Sequence, residues 1–194
     1  MTPVSTKPDY ATIREGLNGR SIALVGLMGA GKTTVGRRIA ALLGLPFSDS
    51  DQEIEDVSRM SVAELFSAYG EPEFRALEAR VVSRLVQDGP RVLGTGGGAY
   101  MNPNTRLMLK NHAITVWLKA DIDTLMARVS RRSNRPLLKT GSPRATMKKL
   151  MDVRYPIYAE ADIVINSPRE AKRDMVAEDA VDALSRHLFE RARA

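Results

Sequence analysis

The sequence has no cysteine and only two histidines, His112 and His187, among its 194 residues. Without cysteine there can be no thiol nucleophile, disulfide, or thiolate-ligated zinc or iron–sulfur site, and the wide separation of the histidines argues against a histidine metal centre. No apolar run approaches the roughly 18 residues of a membrane span, and residues 1–20 lack the apolar core of a secretion signal. These absences predict a cytoplasmic protein with no membrane partner.

Positive charge is in modest excess: 29 Lys and Arg stand against 23 Asp and Glu, for a net charge of +6. Much of it lies at 131–135, 148–149 and 186–193. Neither a nucleic-acid motif nor an aromatic stacking platform accompanies the charge, so no nucleic-acid partner is predicted. The excess indicates either a solvated surface or attraction for a small polyanion.

Strand-like apolar runs alternate with segments of helical periodicity. Strands are predicted at 21–27, 46–51, 91–94, 114–118 and 163–165, with helices between them and a final helix carrying Val176 to Leu188. The first strand is continuously apolar, which is typical of a parallel sheet covered on both faces. The sequence therefore predicts an α/β fold, a three-layer sandwich around a five-stranded parallel sheet.

The predicted organisation has three parts. Residues 1–20 form an arm or one short helix, 21–175 form the main domain, and 176–194 form a C-terminal helix and basic tail. Within the main domain, a capping-box pattern from Ser61 to Glu64 opens a helix to about Tyr69, and a longer helix follows. The basic, turn-rich stretch at about 130–141 is predicted to be a lid.

A phosphate-binding motif follows the first predicted strand. Residues 26–33 match G-x-x-x-x-G-K-[ST] at every specified position. Backbone N–H groups of such a loop surround phosphate oxygens at a helix N-terminus. Its lysine, Lys32, reaches the β- and γ-phosphates, and the Thr33 hydroxyl joins the Mg²⁺ shell. The motif predicts a nucleoside-triphosphate site at Gly29, Ala30, Gly31, Lys32, Thr33 and Thr34.

Two carboxylates, Asp49 and Asp51, end the second predicted strand. In an extended segment, residues i and i+2 face the same way, so both are expected to point into one crevice at the carboxyl end of the sheet. One could hold a metal-bound water while the other meets an alcohol to be phosphorylated. The alternative is a solvated helix cap.

Three glycines, Gly96, Gly97 and Gly98, follow a strand that is expected beside the first one. They allow backbone to approach a ligand, or they form a purely structural turn. Arginines that could bind a carboxylate or an anionic transition state occur at Arg75, Arg135 and Arg154.

Together these motifs resemble the shikimate kinase family. The resemblance runs from about Ser21 to Asn166 and rests on six motifs in order: 26–34, 49–51, 73–75, 93–99, 135–138 and 154–158. It implies a P-loop kinase fold with a lid and a substrate-binding region at about 51–80. It also implies phosphorylation of the shikimate 3-hydroxyl by ATP with Mg²⁺, in an enzyme that is commonly a monomer.

The resemblance further implies a role for each matching residue. Asp51 would bind ring hydroxyls and orient or deprotonate the attacking one, and Arg75 and Arg154 would hold the carboxylate. The Gly97 amide, with Gly98 beside it, would contact the substrate. Lys32 and Arg135 would neutralise the transferring phosphoryl group, and Thr33 and Asp49 would serve Mg²⁺. Arg132, or Arg131 in its place, would stack on adenine.

Two other functions are compatible with the phosphate-binding motif. One is a P-loop kinase for another polyol acid such as gluconate, which should not need the Arg75 and Arg154 pair. The other is a catalytically silent nucleotide-binding regulator. Turnover, and its dependence on the acceptor, would separate the three.

Overall fold

The computed structural model describes residues 9–130 and 142–190 of the chain. Its strands are β1 Ser21–Val25, β2 Phe47–Asp49, β3 Val92–Gly94, β4 Ala113–Lys119 and β5 Ile163–Asn166. Its helices are α1 Tyr10–Gly16, α2 Lys32–Leu43, α3 Ser50–Ser58, α4 Val62–Gln87, α5 Pro103–His112, α6 Ile122–Val129, α7 Pro143–Tyr158 and α8 Arg173–Glu190, with a short 3₁₀ turn at Ala99–Met101.

All five strands are parallel, in the order β2-β3-β1-β4-β5. From β1 the chain moves past the position of β3 to β2 at one edge of the sheet. The later connections, to β3, β4 and β5 in turn, all run toward the opposite edge. Because parallel crossovers are right-handed, α2 covers one face, while α4 and α5 cover the opposite face. Every residue of β1 and β3 is buried, as a sheet covered on both sides requires. The predicted five-stranded α/β fold is confirmed.

The sheet order creates a crevice between β1 and β3. These strands are neighbours, with Ile22 opposite Val92 and Leu24 opposite Gly94, and their following segments leave toward opposite faces of the sheet. Ligands of open α/β sheets bind at such a point, beyond the carboxyl ends of the strands. The phosphate-binding loop and the three glycines both begin there.

One secondary-structure prediction was wrong at the second strand. The strand ends at Asp49, and Asp51 lies in the first turn of α3. Asp49 is the N-cap of that helix, since its Oδ1 accepts from the Asp51 backbone N–H at 3.1 Å. The capping preference of aspartate therefore ended the strand two residues early.

The junction predicted near Tyr69 is confirmed within α4. Its capping box is formed by Ser61 and Glu64, and Gly70 interrupts the helix with φ 83° and ψ 173°. Pro72 follows at the start of the second part, where a missing N–H is tolerated. The change of direction separates a short helix from the longer one that carries Arg75.

Part of the predicted N-terminal arm belongs to the core. Helix α1 begins after Asp9, and Ile13 and Leu17 are fully buried. Residues 1–8 of the arm, residues 131–141 of the predicted lid and residues 191–194 of the predicted tail lie outside the described residues.

Candidate active site

The phosphate-binding loop has the backbone geometry that its glycines were expected to supply. Gly26, Gly29 and Gly31 have φ of 143°, 84° and 104°, values that strain any residue with a Cβ. Gly31 is the N-cap of α2, so the first N–H groups of that helix are available to an anion. The loop opens into a cavity of about 640 Å³ that Gly29, Gly31 and Val35 help to line.

The Lys32 ammonium lies within the loop. It donates to the Gly26 carbonyl at 2.7 Å and to the Leu27 carbonyl at 3.1 Å, and its side chain lines the cavity together with Thr34. Lys32 is the first residue of α2, where the helix dipole also favours negative charge. A phosphate in this cavity would therefore meet both a mobile ammonium and fixed backbone donors.

A hydroxyl and a carboxylate meet on the cavity wall. Thr33 Oγ1 donates to Asp49 Oδ2 at 2.8 Å, and both residues line the cavity. Hard oxygen donors of this kind fit Mg²⁺, which binds through one or two protein oxygens and takes its remaining ligands from phosphates and water. Within residues 9–130 and 142–190, no group of three or more His, Asp or Glu side chains could hold a metal ion. The chemistry of the wall thus suits a nucleotide-bound cation.

The glycine turn after β3 gathers side chains from three distant parts of the chain. A Cβ placed on Gly96 would lie 2.6 Å from Asp51 Oδ1 and 2.5 Å from Glu78 Oε1. At Gly97 the nearest atom would be Arg154 Nη1 at 3.3 Å, with the Gly26 carbonyl next at 3.6 Å. These contacts bring the turn against the phosphate-binding loop, between an aspartate and an arginine.

Arg75 packs flat against the same turn. A Cβ on Gly98 would lie 2.5 Å from both Nη atoms of Arg75. The guanidinium is held by Glu78 Oε2 at 2.7 Å and by Glu71 Oε1 at 3.2 Å, and it lies 5.1 Å from the Phe74 ring centroid. The arginine therefore occupies the space that a side chain at position 98 would take.

Glu78 was not predicted as a site residue. Its side chain is 3% exposed, and its Oε1 has no hydrogen-bond partner among the described residues. Burial raises the pKa of the Glu78 carboxyl, and the negative charge of Asp51 adds to the effect, against the opposing charge of Arg75. The sequence could have indicated an ion pair between Glu78 and Arg75, because residues three apart on one helix are neighbours.

Arg154 and Tyr158 both reach the Gly97 carbonyl from α7. Arg154 Nη1 donates to it at 2.9 Å, and the Tyr158 hydroxyl donates at 2.5 Å. Tyr158 is fully buried, and burial raises its pKa to about 12. Arg154 and Tyr158 are four residues apart and therefore share one face of α7.

Arg128 is a further cation in the cavity that sequence reasoning missed. Its guanidinium donates to the Gly29 and Ala30 carbonyls, each at 3.3 Å, to Ser167 Oγ at 3.0 Å and to the Pro168 carbonyl at 2.9 Å. Burial lowers the pKa of Arg128, as does the nearby charge of Arg173, although arginine stays protonated. No local motif marks this arginine.

The predicted residues divide into two groups by position. Five of them line the cavity beside the phosphate-binding loop, namely Gly29, Gly31, Lys32, Thr33 and Thr34. The aspartates and Gly97 line the same cavity, and Arg75, Gly98 and Arg154 lie around the glycine turn next to it. Ala30 is buried, and its carbonyl accepts from Ser167 and Arg128. Arg132 and Arg135, with Arg131, lie outside the described residues.

A five-stranded parallel sheet with a phosphate-binding loop after β1 and a polar crevice beside β3 defines the class as a P-loop kinase of small molecules. The family model "Shikimate kinase" matches residues 28–185. The chain belongs to the shikimate kinase family.

Sequence relatives support that assignment. The chain is 56% identical over 172 residues to "Shikimate kinase" of Mesorhizobium japonicum, covering 89% of this chain and 84% of that protein. It is 55% identical over 177 residues to "Shikimate kinase" of Brucella canis, covering 91% and 88%.

Solved structures agree with the sequence relatives. Shikimate kinase from Acinetobacter baumannii in complex with shikimate matches with TM-score 0.82 at 36% identity, over 88% of this chain and 95% of that chain. A gluconokinase from Sinorhizobium meliloti matches with TM-score 0.57 at 18% identity, over 90% and 96%. The second likeness shows a common fold alone.

Among the helices of the described ranges, none combines the length and the apolar character that crossing a membrane would require.

Proposed function

We propose that this chain transfers the γ-phosphoryl group of ATP to the 3-hydroxyl of shikimate, with the roles given below for its own residues. The reaction itself follows from membership in the shikimate kinase family. The chain is accordingly an enzyme, a phosphotransferase that uses ATP with Mg²⁺ and binds shikimate and ATP as its small-molecule substrates.

The loop at 26–34 binds the triphosphate of ATP. Backbone N–H groups at the start of α2 receive the phosphate oxygens, and Lys32 leaves the Gly26 and Leu27 carbonyls to reach the β- and γ-phosphates. Arg128 also lines the cavity, and its planar guanidinium, held between the loop and Pro168, offers a surface for the adenine ring. Arg132 and Arg135 stay predictions for adenine stacking and for neutralisation of the γ-phosphoryl group.

The Mg²⁺ ion would be held by Thr33 directly and by Asp49 through water. When bound, the ion would neutralise negative charge on the β- and γ-phosphates of ATP. The hydrogen bond between the two side chains supports this assignment, because it already places a hydroxyl oxygen and a carboxylate oxygen 2.8 Å apart on the cavity wall.

Asp51 orients the substrate hydroxyl and accepts its proton. A new bond forms between the shikimate 3-oxygen and the γ-phosphorus, while the bond from that phosphorus to the β,γ-bridging oxygen breaks. The proton leaves for the Asp51 carboxylate, which lines the cavity. Catalysis here is chiefly positioning and charge neutralisation.

Arg75 and Arg154 form the receptor for the substrate carboxylate, with Gly97 and Gly98 between them. The observation that carries this proposal is their convergence on one turn, because two guanidinium groups flank adjacent glycines while Asp51 flanks the preceding one. Guanidinium forks match a planar carboxylate and discriminate against neutral polyols. A pair of this kind favours an acceptor that carries a carboxylate over a neutral polyol. Shikimate and gluconate both carry one, and the assay distinguishes these two acids.

The test is release of ADP with ATP and Mg²⁺, with shikimate, gluconate or no acceptor. Release that depends on shikimate alone is expected. The matched control is Asp51→Asn, prepared in the same way, which should lose shikimate-dependent turnover and still bind ATP. Binding can be followed by fluorescence of Trp117, the one tryptophan of the sequence, whose Cδ1 lies 3.6 Å from the position of a Cβ on Gly26.

Any other outcome would show which part of the proposal is wrong: the acceptor, the activity or the role of Asp51. Turnover with gluconate would make the chain a kinase of another polyol acid. ATP binding without turnover on any acceptor would indicate a silent nucleotide-binding regulator. Loss of ATP binding in Asp51→Asn would move Asp51 to the nucleotide side of the crevice.

The proposal includes a monomeric, cytoplasmic enzyme that binds neither nucleic acid nor membrane. Light scattering at assay concentration tests the oligomeric state, and a dimer mass would contradict the monomer. The proposal keeps the three predicted parts: an N-terminal arm or short helix at 1–20, the main domain at 21–175 with its substrate-binding region at about 51–80 and its lid at about 130–141, and a C-terminal helix and basic tail at 176–194.

A further inference from the structure

The buried hydroxyl of Tyr158 has no role in the chemistry described above, yet it ends at the site. It donates to the Gly97 carbonyl oxygen at 2.5 Å. That carbonyl oxygen also accepts from Arg154 Nη1 at 2.9 Å. A carbonyl oxygen has two lone pairs, so these two donors fill it. A glycine backbone is thus tied to an arginine and to a tyrosine of one helix.

The bond constrains more than one oxygen. A peptide unit is planar, so the direction of the Gly97 carbonyl sets the rotation of the whole Gly97–Gly98 unit, including the Gly98 N–H. Successive glycines have no side chains to limit that rotation. Arg75 rests on Gly98, with both Nη atoms 2.5 Å from the position of a Cβ there. Rotation of this peptide would therefore disturb both arginines together.

Tyr158 is well suited to act as a fixed point. Its ring is fully buried, with the Trp117 centroid at 5.9 Å and the Tyr100 centroid at 6.3 Å. Burial raises its pKa to about 12, so the hydroxyl remains a proton donor throughout the neutral range. In contrast, Arg154 is only partly buried and must turn part of its guanidinium toward a ligand.

We infer that Tyr158 is a positioning residue for the acid substrate: by holding the Gly97 carbonyl it fixes the Gly97–Gly98 peptide and, through that shared oxygen, the guanidinium of Arg154. This inference rests on the proposed function, since it assigns the carboxylate receptor to Arg75 and Arg154. It makes one distinctive claim, which is that loss of a single buried hydroxyl weakens binding of the acid and leaves the nucleotide side unchanged.

The chain contains a matched control for Tyr158→Phe. Tyr155 lies three residues earlier on α7, its hydroxyl also donates to a backbone carbonyl, that of Ala120, and its ring also contacts Trp117. Tyr155→Phe therefore removes a comparable hydrogen bond from the same packing environment, away from the glycine turn. A purely structural role for Tyr158 would make the two variants alike.

The experiment compares KM for shikimate, kcat, ATP affinity from Trp117 fluorescence, and Tm. In Tyr158→Phe, KM should rise about tenfold, the size expected for one lost hydrogen bond at a polar site, with kcat changed less and ATP affinity within about twofold. In Tyr155→Phe, KM should stay within about twofold whatever its Tm. With Arg154→Ala added to Tyr158→Phe, the loss should be smaller than the product of the single losses.

The inference is overturned if Tyr158→Phe leaves KM unchanged, if Tyr155→Phe raises KM equally, if ATP affinity falls in parallel, or if the losses with Arg154→Ala multiply. Failure of the proposed function is a separate result, because it shows as absence of shikimate-dependent turnover in the unmodified chain. A working unmodified enzyme with an unaffected Tyr158→Phe variant refutes this inference alone.

Discussion

Thr33 and Asp49 join the first turn of α2 to the end of β2 through a hydrogen bond of 2.8 Å from Oγ1 to Oδ2. The other carboxylate oxygen of Asp49 accepts from the Asp51 backbone at 3.1 Å and caps α3. One side chain therefore has a structural role, since it caps the helix that carries Asp51, and a proposed role in holding a cation beside the phosphate-binding loop. The two roles of this carboxylate can be separated by substitution.

Asp49→Asn should leave the fold nearly as stable and lower activity. Asparagine is as good an N-cap as aspartate, but it removes the negative charge that favours Mg²⁺. We expect a Tm close to that of the unmodified chain and a Mg²⁺ requirement raised about tenfold or more. Asp49→Ala, the control, should lose the cap as well, at about 1 kcal/mol of unfolding free energy. An asparagine variant with an unchanged Mg²⁺ titration would contradict the metal role.

Lys32→Ala should lower kcat by about 10²–10³ or more, because the ammonium stabilises charge that develops during transfer. The side chain is partly exposed and donates to two carbonyls of its own loop, so Tm should change little. Lys110→Ala removes an exposed lysine from α5 and serves as the charge control. Steady-state kinetics checks the prediction, and a near-normal kcat for Lys32→Ala would refute the role of Lys32.

Gly98→Ala should impair binding of the acid without affecting ATP. The new Cβ would lie 2.5 Å from both Nη atoms of Arg75, so the guanidinium must move away from the turn. We expect KM for shikimate to rise about tenfold or more, since a displaced guanidinium loses its charge-assisted bonds. Gly16→Ala, on α1 and remote from the crevice, should leave KM unchanged. Equal KM values for Gly98→Ala and the unmodified chain would argue that Arg75 does not bind the carboxylate.

Glu78→Gln should change how stability depends on pH. Burial raises the pKa of Glu78, so the folded chain holds this proton more tightly than the unfolded chain. The stability that this group contributes is complete below its ordinary pKa of 4.5 and is lost as the pH rises through the folded-state value. The Tm of Glu78→Gln relative to the unmodified chain should therefore increase as the pH is raised from 4.5 toward neutrality.

Glu64→Gln is the control of opposite sign. Hydrogen bonds from Ser61 lower the pKa of Glu64, so its contribution is present above its ordinary pKa and disappears as the pH falls through the folded-state value. Thermal unfolding across the pH range compares the two variants. Parallel pH profiles for Glu78→Gln and the unmodified chain would show that Glu78 carries no raised pKa.

The sheet and the phosphate-binding loop could be predicted from the sequence because each depends on short-range patterns. The loop needs its glycines and Lys32 within eight consecutive residues, and β1 and β4 are marked by continuous apolar runs. The reason why the strand predicted at 46–51 is too long is also local. Aspartate is a preferred helix N-cap, and Asp49 caps α3, so the strand ends there.

The proposed carboxylate receptor depends on contacts that no local pattern contains. Arg154 meets the Gly97 carbonyl across 57 positions of the chain, and Arg128 meets the Gly29 carbonyl across 99. For Arg75 and Arg154, a resemblance to a family supplied the expectation, whereas no role was predicted for Arg128, Glu78 or Tyr158. Their positions follow from the sheet order, which brings the ends of β1 and β3 together and lays α4 and α7 beside them.

The sequence by itself determined the fold class, the nucleotide-binding loop and the carboxylates near it, because backbone geometry and side-chain chemistry act there over a few residues. Only the tertiary structure decided which arginines face the glycine turn, which carboxyl is buried beside Asp51, and which hydroxyl holds the Gly97 carbonyl. These side chains meet because helices that are distant in the sequence pack on one sheet, and the order of the strands in that sheet differs from their order along the chain.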